Sequence, residues 1–109
     1  MTANHIARMS AKRLMPKFGD NLPLAVEQVI QSAPAEPGQF IDFGALAAVA
    51  TLIVQCAQFA FDLRAKKLDR KALKRELRHE LGLPEGVSEK ARDEVIEAVV
   101  QEAEDDGGE

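Results

Sequence analysis

A chain of 109 residues is one domain at most, and its net charge of −4 argues against bulk attraction to nucleic acid. Its hydrophobic fraction of 46% is that of a globular protein, and one cysteine excludes an internal disulfide and fits a reducing compartment. Trp and Tyr are absent, so the aromatic belt of a membrane span is missing.

Met1 to Met15 reads as a short amphipathic helix, with Ile6, Met9 and Leu14 on one face and Arg8, Lys12 and Arg13 elsewhere. Its basic start lacks the continuous apolar core of a signal peptide. The expectation is a loosely docked terminal helix, ended by Pro16 and Gly19. Asn21 can cap a second short helix with Pro23 in its first turn and an apolar side of Leu24, Val26, Val29 and Ile30. Ser32 to Gln39, SAPAEPGQ, holds two Pro and one Gly and reads as a linker. The chain therefore divides into an N-terminal arm with short helices (1–33), a linker (34–40), a helical body (41–103) and a disordered acidic tail (104–109).

The body opens on the stretch that dominates the chain. Phe43 to Phe61, FGALAAVATLIVQCAQFAF, runs nineteen residues without a formal charge. It is Ala-rich, has no internal Pro and is too long for an ordinary strand, so it is read as a helix, with Asp42 as its N-cap. Leu46, Val49, Ile53, Ala57, Ala60 and Leu63 fall on one apolar face. A second line, Gly44, Ala48, Thr51, Gln55, Gln58 and Asp62, carries small residues first and polar ones after. On one reading this seam faces water or a polar neighbour; on another it meets a partner helix in a bilayer. The eight Leu, Ile, Val and Phe side chains favour insertion by only about 4 kcal/mol, against which stand two Gln, a Thr and a Gly. Burial in protein is the preferred reading, and a membrane span the alternative.

The helix is expected to run on past Phe61 into Arg64, Lys66 and Lys67, cations that suit its C-terminal dipole. Asp69 then caps a basic helix over Arg70 to Leu81, with Leu73, Leu77 and Leu81 on its apolar stripe and Gly82 and Pro84 beyond its end. Arg64, Lys66, Lys67, Arg70, Lys71, Lys74 and Arg75 make a basic face. Ser88 caps the last helix, whose stripe is Ala91, Val95, Ala98, Val99 and Glu102, widened by Ile96 and Val100. Its outer face is acidic, and antiparallel packing on the basic helix would join the Leu and Val stripes. Charge alternates in blocks along the chain: +3 over 1–20, −4 over 21–63, +5 over 64–80 and −8 over 81–109. Such blocks point to mutual pairing, within one chain or between neighbours.

No catalytic constellation is present. Ser10, Ser32 and Ser88 lack a neighbouring base, and no Gly-rich phosphate loop occurs. Glu76 and His79 make an E-x-x-H pair, but the second pair and further acids of a di-iron site are missing. His5 and His79 are the only histidines, and Cys56 reads as a small buried apolar residue. The expectations are no enzymatic activity, no cofactor and no metal. The run RAKKLDRKALKRELR allows a weak nucleic-acid-binding module, but the acidic last helix would sit beside the phosphates, so nucleic acid is an unlikely partner.

From Ile41 onward the order of parts resembles a known class. Ile41-Asp42, then AQFAFDLRAKK (57–67), a charged Leu-repeat helix, the connector LPEGVS (83–88) and the pairs Val95-Ile96 and Val99-Val100 are similar to small helical, effector-associated accessory proteins of bacterial conflict (defence) systems. That resemblance implies an adaptor without catalysis, acting by assembly with itself, with a partner or at a membrane. It carries over no site residues and leaves the first 40 residues outside it.

The sequence thus predicts an all-α fold: a long apolar central helix, two amphipathic helices after it and a short helical arm before it. The expected function is a cytoplasmic adaptor or assembly subunit, with membrane association as the alternative location. Gly44, Ala48, Thr51, Gln55, Gln58, Phe59 and Phe61 form the expected contact with a protein partner or a second copy. Two helices of the body cannot cover the central one on all sides, so Phe59 and Phe61 are expected to lie exposed.

Overall fold

The computed structural model describes residues 2–31, 45–84 and 86–107, with the backbone alone for Ala45 and 105–107. The described chain is all-α: α1 (Ala3–Phe18), α2 (Leu22–Gln31), α3 (Ala45–Leu63), a 3-10 turn (Arg64–Lys66), α4 (Arg70–Leu81) and α5 (Glu89–Gly107). No strand occurs among the described residues. The linker 34–40, the cap Asp42 and the seam's first member Gly44 lie outside them.

Local chemistry sets the helix ends. The Thr2 side chain accepts from the His5 amide at 3.2 Å and starts α1. Pro16 lies inside the last turn rather than ending it; the helix runs two residues further to Phe18 and is closed by Gly19, whose φ of 109° suits a residue without Cβ. Asp69 accepts from the Ala72 amide at 2.8 Å and starts α4. Gly82, at φ 61°, closes α4 through its amide to the Arg78 carbonyl at 3.0 Å. Ser88 accepts from the Ala91 amide at 3.0 Å and starts α5. The extension of α3 into Lys67 is interrupted: the last turn tightens to 3-10 geometry and Lys67 turns left-handed at φ 52°.

The central helix is α3. It packs against α1, α2, α4 and α5, and all five contribute to one apolar cluster. Val49, Leu52, Ile53 and Cys56 of α3 meet Ile6 and Leu14 of α1, Leu22 and Val26 of α2, Leu77 of α4, and Val95, Ile96, Val99 and Val100 of α5 in this core. Each such Leu, Ile or Val stabilises the fold by roughly 1.5–3 kcal/mol on burial. Ala50, Ala57 and Ala60 are fully buried, and their small size lets neighbouring helices approach α3 closely.

Three expectations need correction here. The N-terminal helix is not loosely docked: Ile6, Ala7, Ser10, Ala11 and Leu14 are buried against the other helices. A stripe that includes two alanines and a serine looks too weak to be a core face, yet it is what close packing needs. The α1 and α2 helices add cover that the two helices after α3 cannot supply, so among the described residues α3 is left uncovered on one side only: Phe59 is packed against the core rather than exposed, while Phe61 is exposed as expected. Second, Leu24 is 60% exposed. It lies half a turn from Leu22 and Val26, the side chains that α2 actually buries. Third, Glu104, assigned to the tail, is in α5, which continues to Gly107.

Candidate interaction surface

Around α3 the other helices form an arc in the order α2, α1, α5, α4. Neighbours in this arc touch, while α2 and α4 at its two ends do not touch each other among the described residues. Among the described residues the gap leaves one side of α3 open. Ala47, Thr51, Gln55, Gln58, Phe61 and Asp62 are exposed there, recurring every three or four residues. The predicted apolar face is the buried one: Val49, Ile53, Ala57 and Ala60 are in the core, with Leu46 and Leu63 half-buried at its ends.

The seam therefore faces outward, though not uniformly. Thr51 satisfies its hydroxyl locally, donating to the Ala47 carbonyl at 2.9 Å. Ala48 is half-buried, and the connector between α4 and α5 passes beside it: a Cβ placed on Gly86 would stand 3.7 Å from that of Ala48. At the far end, the Arg64 guanidinium lies over the Phe61 ring, 5.4 Å from its centroid. Thr2 and Ala3 line a concavity with Gln58, Phe61 and Asp62, which sets α1 antiparallel to α3.

The basic face divides in two. Arg70, Lys74 and Arg78, one turn apart on α4, reach across to α5. Arg70 donates to Glu104 at 2.7 Å and to Gln101 at 2.7 Å, Lys74 pairs with Glu97, and Arg78 meets Asp93 at 3.3 Å. This ladder sets α4 antiparallel to α5, as the apolar stripes predict. Its cations hold the Glu97 carboxyl below its ordinary pKa, first through the hydrogen bond from Lys74 and then through the charges of Lys74, Arg70 and Arg78. Arg70 and Lys74 are therefore removed from the expected basic face. Lys66, Lys67, Lys71 and Arg75 are exposed with no ion pair among the described residues, and Arg64 has its ring contact.

Pairs across α1 were not visible as individual contacts in the sequence. Arg8 pairs with Glu27 of α2, whose carboxyl is held below its ordinary pKa by that hydrogen bond. Arg13 donates to Glu102 of α5 at 2.7 Å and Lys17 stands 3.6 Å from Glu94. The available signal was the opposition of a +3 block at one end of the chain to a −8 block at the other. A cleft of 680 Å³ follows this junction between α1 and α5, floored by Leu14 and Ala98; its lining includes no His, Cys or Ser. Cys56 is fully buried, and desolvation pushes its thiol well above the ordinary range. Among the described residues no three His, Cys, Asp or Glu side chains gather as metal ligands. His79 and Glu76 are both exposed on α4.

Among the described residues one helix, Leu46–Lys66, is long and apolar enough to cross a membrane by length and composition, with a mean hydropathy of 1.7, a property shared with core helices of soluble proteins. No known protein family, curated protein or solved structure matches this chain.

Proposed function

We propose that this protein is a non-enzymatic assembly subunit or adaptor, placed in the cytoplasm, that docks through the open side of α3. One observation carries this reading: a helix otherwise enclosed by four others presents Ala47, Thr51, Gln55, Gln58 and Phe61 to solvent in the gap between α2 and α4. A half-exposed aromatic beside amide side chains suits a protein contact, where apolar area and adaptable hydrogen bonding combine. The resemblance to accessory proteins of bacterial conflict systems supports the same role. The membrane alternative rests on the hydropathy of 46–66, but insertion would withdraw Val49, Leu52, Ile53 and Cys56 from the bundle core. Nucleic-acid binding is weakened by the engagement of Arg70, Lys74 and Arg78 with α5.

The test is the native size of the protein in extracts of its own cells. Tagged wild-type protein should elute in a complex well above the 11.9 kDa of the chain, and Gln55→Arg should return it to the monomer position. Wild type eluting as a monomer would remove the reading. Retention in the membrane pellet through an alkaline carbonate wash would replace it with the membrane alternative.

A further inference from the structure

We propose that the partner at the open side of α3 is a second copy of this chain, docked antiparallel about a two-fold axis that passes near Gln55. This rests on the reading above and names its occupant. Two gradients along α3 lead to it.

The first is in charge. At the junctions between the outer helices, cations and carboxylates meet: Arg8 with Glu27, Arg13 with Glu102, Lys17 with Glu94, and the ladder from α4 to α5. Beside the open side, charges are left over. Glu76 and Glu80 lie on the flank of α4 away from its ladder to α5, exposed, and pair with nothing among the described residues. They stand towards the end of α4 that meets the start of α3. At the opposite end, where α3 turns into α4, Lys66 and Lys67 are exposed and equally unpaired among the described residues. Asp62 lies at this second end too but is outnumbered by Lys66 and Lys67, so the open side is acidic at one end and net basic at the other. A two-fold axis perpendicular to α3 keeps α4 beside α4 and reverses its direction, so each protomer's Glu76 and Glu80 approach the other's Lys66 and Lys67. A parallel arrangement instead turns the α4 flank towards the other protomer's α2.

The second gradient is in size. The open side is small at its start, with Ala47 and Thr51, and bulky at its end, with Gln58 and Phe61. Reversal sets each Phe61 ring over the partner's small residues. Parallel docking sets Phe61 against Phe61 and leaves a void between the alanines. The helix dipoles of the two α3 segments also oppose when antiparallel. Both gradients are self-complementary under the same operation, which is what an interface used by both copies of a two-fold dimer requires.

The test uses the purified full-length chain. Sedimentation equilibrium should show a reversible dimer. Glu76→Lys with Glu80→Lys should weaken it about tenfold, since two exposed pairs are each lost twice. Adding Lys66→Glu with Lys67→Glu to the same chain should restore it. Single cysteines report direction: Gln55→Cys, on the axis, should oxidise to a disulfide-linked dimer, whereas Ala47→Cys should not. Wild type is the control, because its own Cys56 is enclosed. These positions are exposed, so circular dichroism should be unchanged in every variant. A purified chain that stays monomeric overturns self-pairing, and so does a dimer in which both cysteines link or the charge reversal has no effect. If the complex in cell extracts still depends on Gln55, the docking reading survives and only the identity of the partner falls.

Discussion

Arg13 on α1 and Glu102 on α5 share a charge-assisted hydrogen bond of 2.7 Å across 89 positions of the chain. The bond closes the first helix onto the last, with Leu14 buried immediately beside it. The α1 helix is therefore structural, and its two neighbouring positions should respond very differently. Leu14→Ala should cost roughly 2–5 kcal/mol, the cost of a cavity in a core that cannot fully collapse. Arg13→Ala should cost no more than about 1 kcal/mol, because the guanidinium is half exposed and screened. Urea titration of both variants checks this; equal small shifts would show that α1 is not part of the cooperative unit.

Ser10 offers the opposite sign. Its hydroxyl is fully buried and has no hydrogen-bond partner among the described residues. An unsatisfied buried polar group costs on the order of 1–3 kcal/mol. Ser10→Ala keeps the small volume that the α1 packing needs and removes that cost, so the urea midpoint should rise, by about 1 kcal/mol in stability. A clear loss would mean that the hydroxyl is bonded in solution.

Acid should loosen two helix junctions together. Glu27 and Glu97 have folded-state pKa values below their ordinary 4.5, the first chiefly through the hydrogen bond from Arg8, the second chiefly through that from Lys74. A depressed carboxyl contributes stability that is complete above the unfolded value and is lost as pH falls through the folded one. The melting midpoint should hold from pH 7 to about pH 5 and fall below pH 4.5, less steeply at high salt. Glu27→Gln with Glu97→Gln should start lower at pH 7 and show a flatter acid limb.

Cys56 should be silent to thiol reagents. It is fully enclosed, and burial raises its pKa, so neither access nor thiolate is available in the folded state. Ellman's reagent at pH 8 should label the urea-unfolded chain at once and the native chain only as fast as it opens. Rapid native labelling would place α3 in an open or rearranged bundle.

Much of this fold was legible. The caps Asp69 and Ser88, the terminator Gly82 and the apolar line through Val49, Ile53 and Ala57 follow from local rules of helix geometry, and each holds. What was not legible is tertiary. The buried stripe of α1 includes Ala7, Ser10 and Ala11, residues whose burial reflects close approach rather than hydrophobicity. Lys71 and Lys74 look alike in sequence, yet the ladder of positions one turn apart commits Lys74 to Glu97 and leaves Lys71 outside it. On α3 the period separates the buried line from Thr51, Gln55, Gln58 and Asp62, which are exposed, while the surroundings of the helix depended on α1 and α2, whose role as cover no local pattern announces.

The order of the helices along the chain has its own consequence. Residues 46–66 pass the length and composition test for a membrane span, and α5, which closes over them, ends at Gly107. At about 5–20 residues per second, the ribosome completes the intervening forty or so residues in roughly 2–8 s. During that interval a greasy nascent segment waits without α4 and α5, in reach of the machinery that sorts proteins to membranes. The α1–α2 hairpin, however, is already synthesised when α3 emerges, and both of its helices have their seats on α3. It can therefore act as a built-in chaperone, shielding part of the apolar face before the rest of the bundle exists.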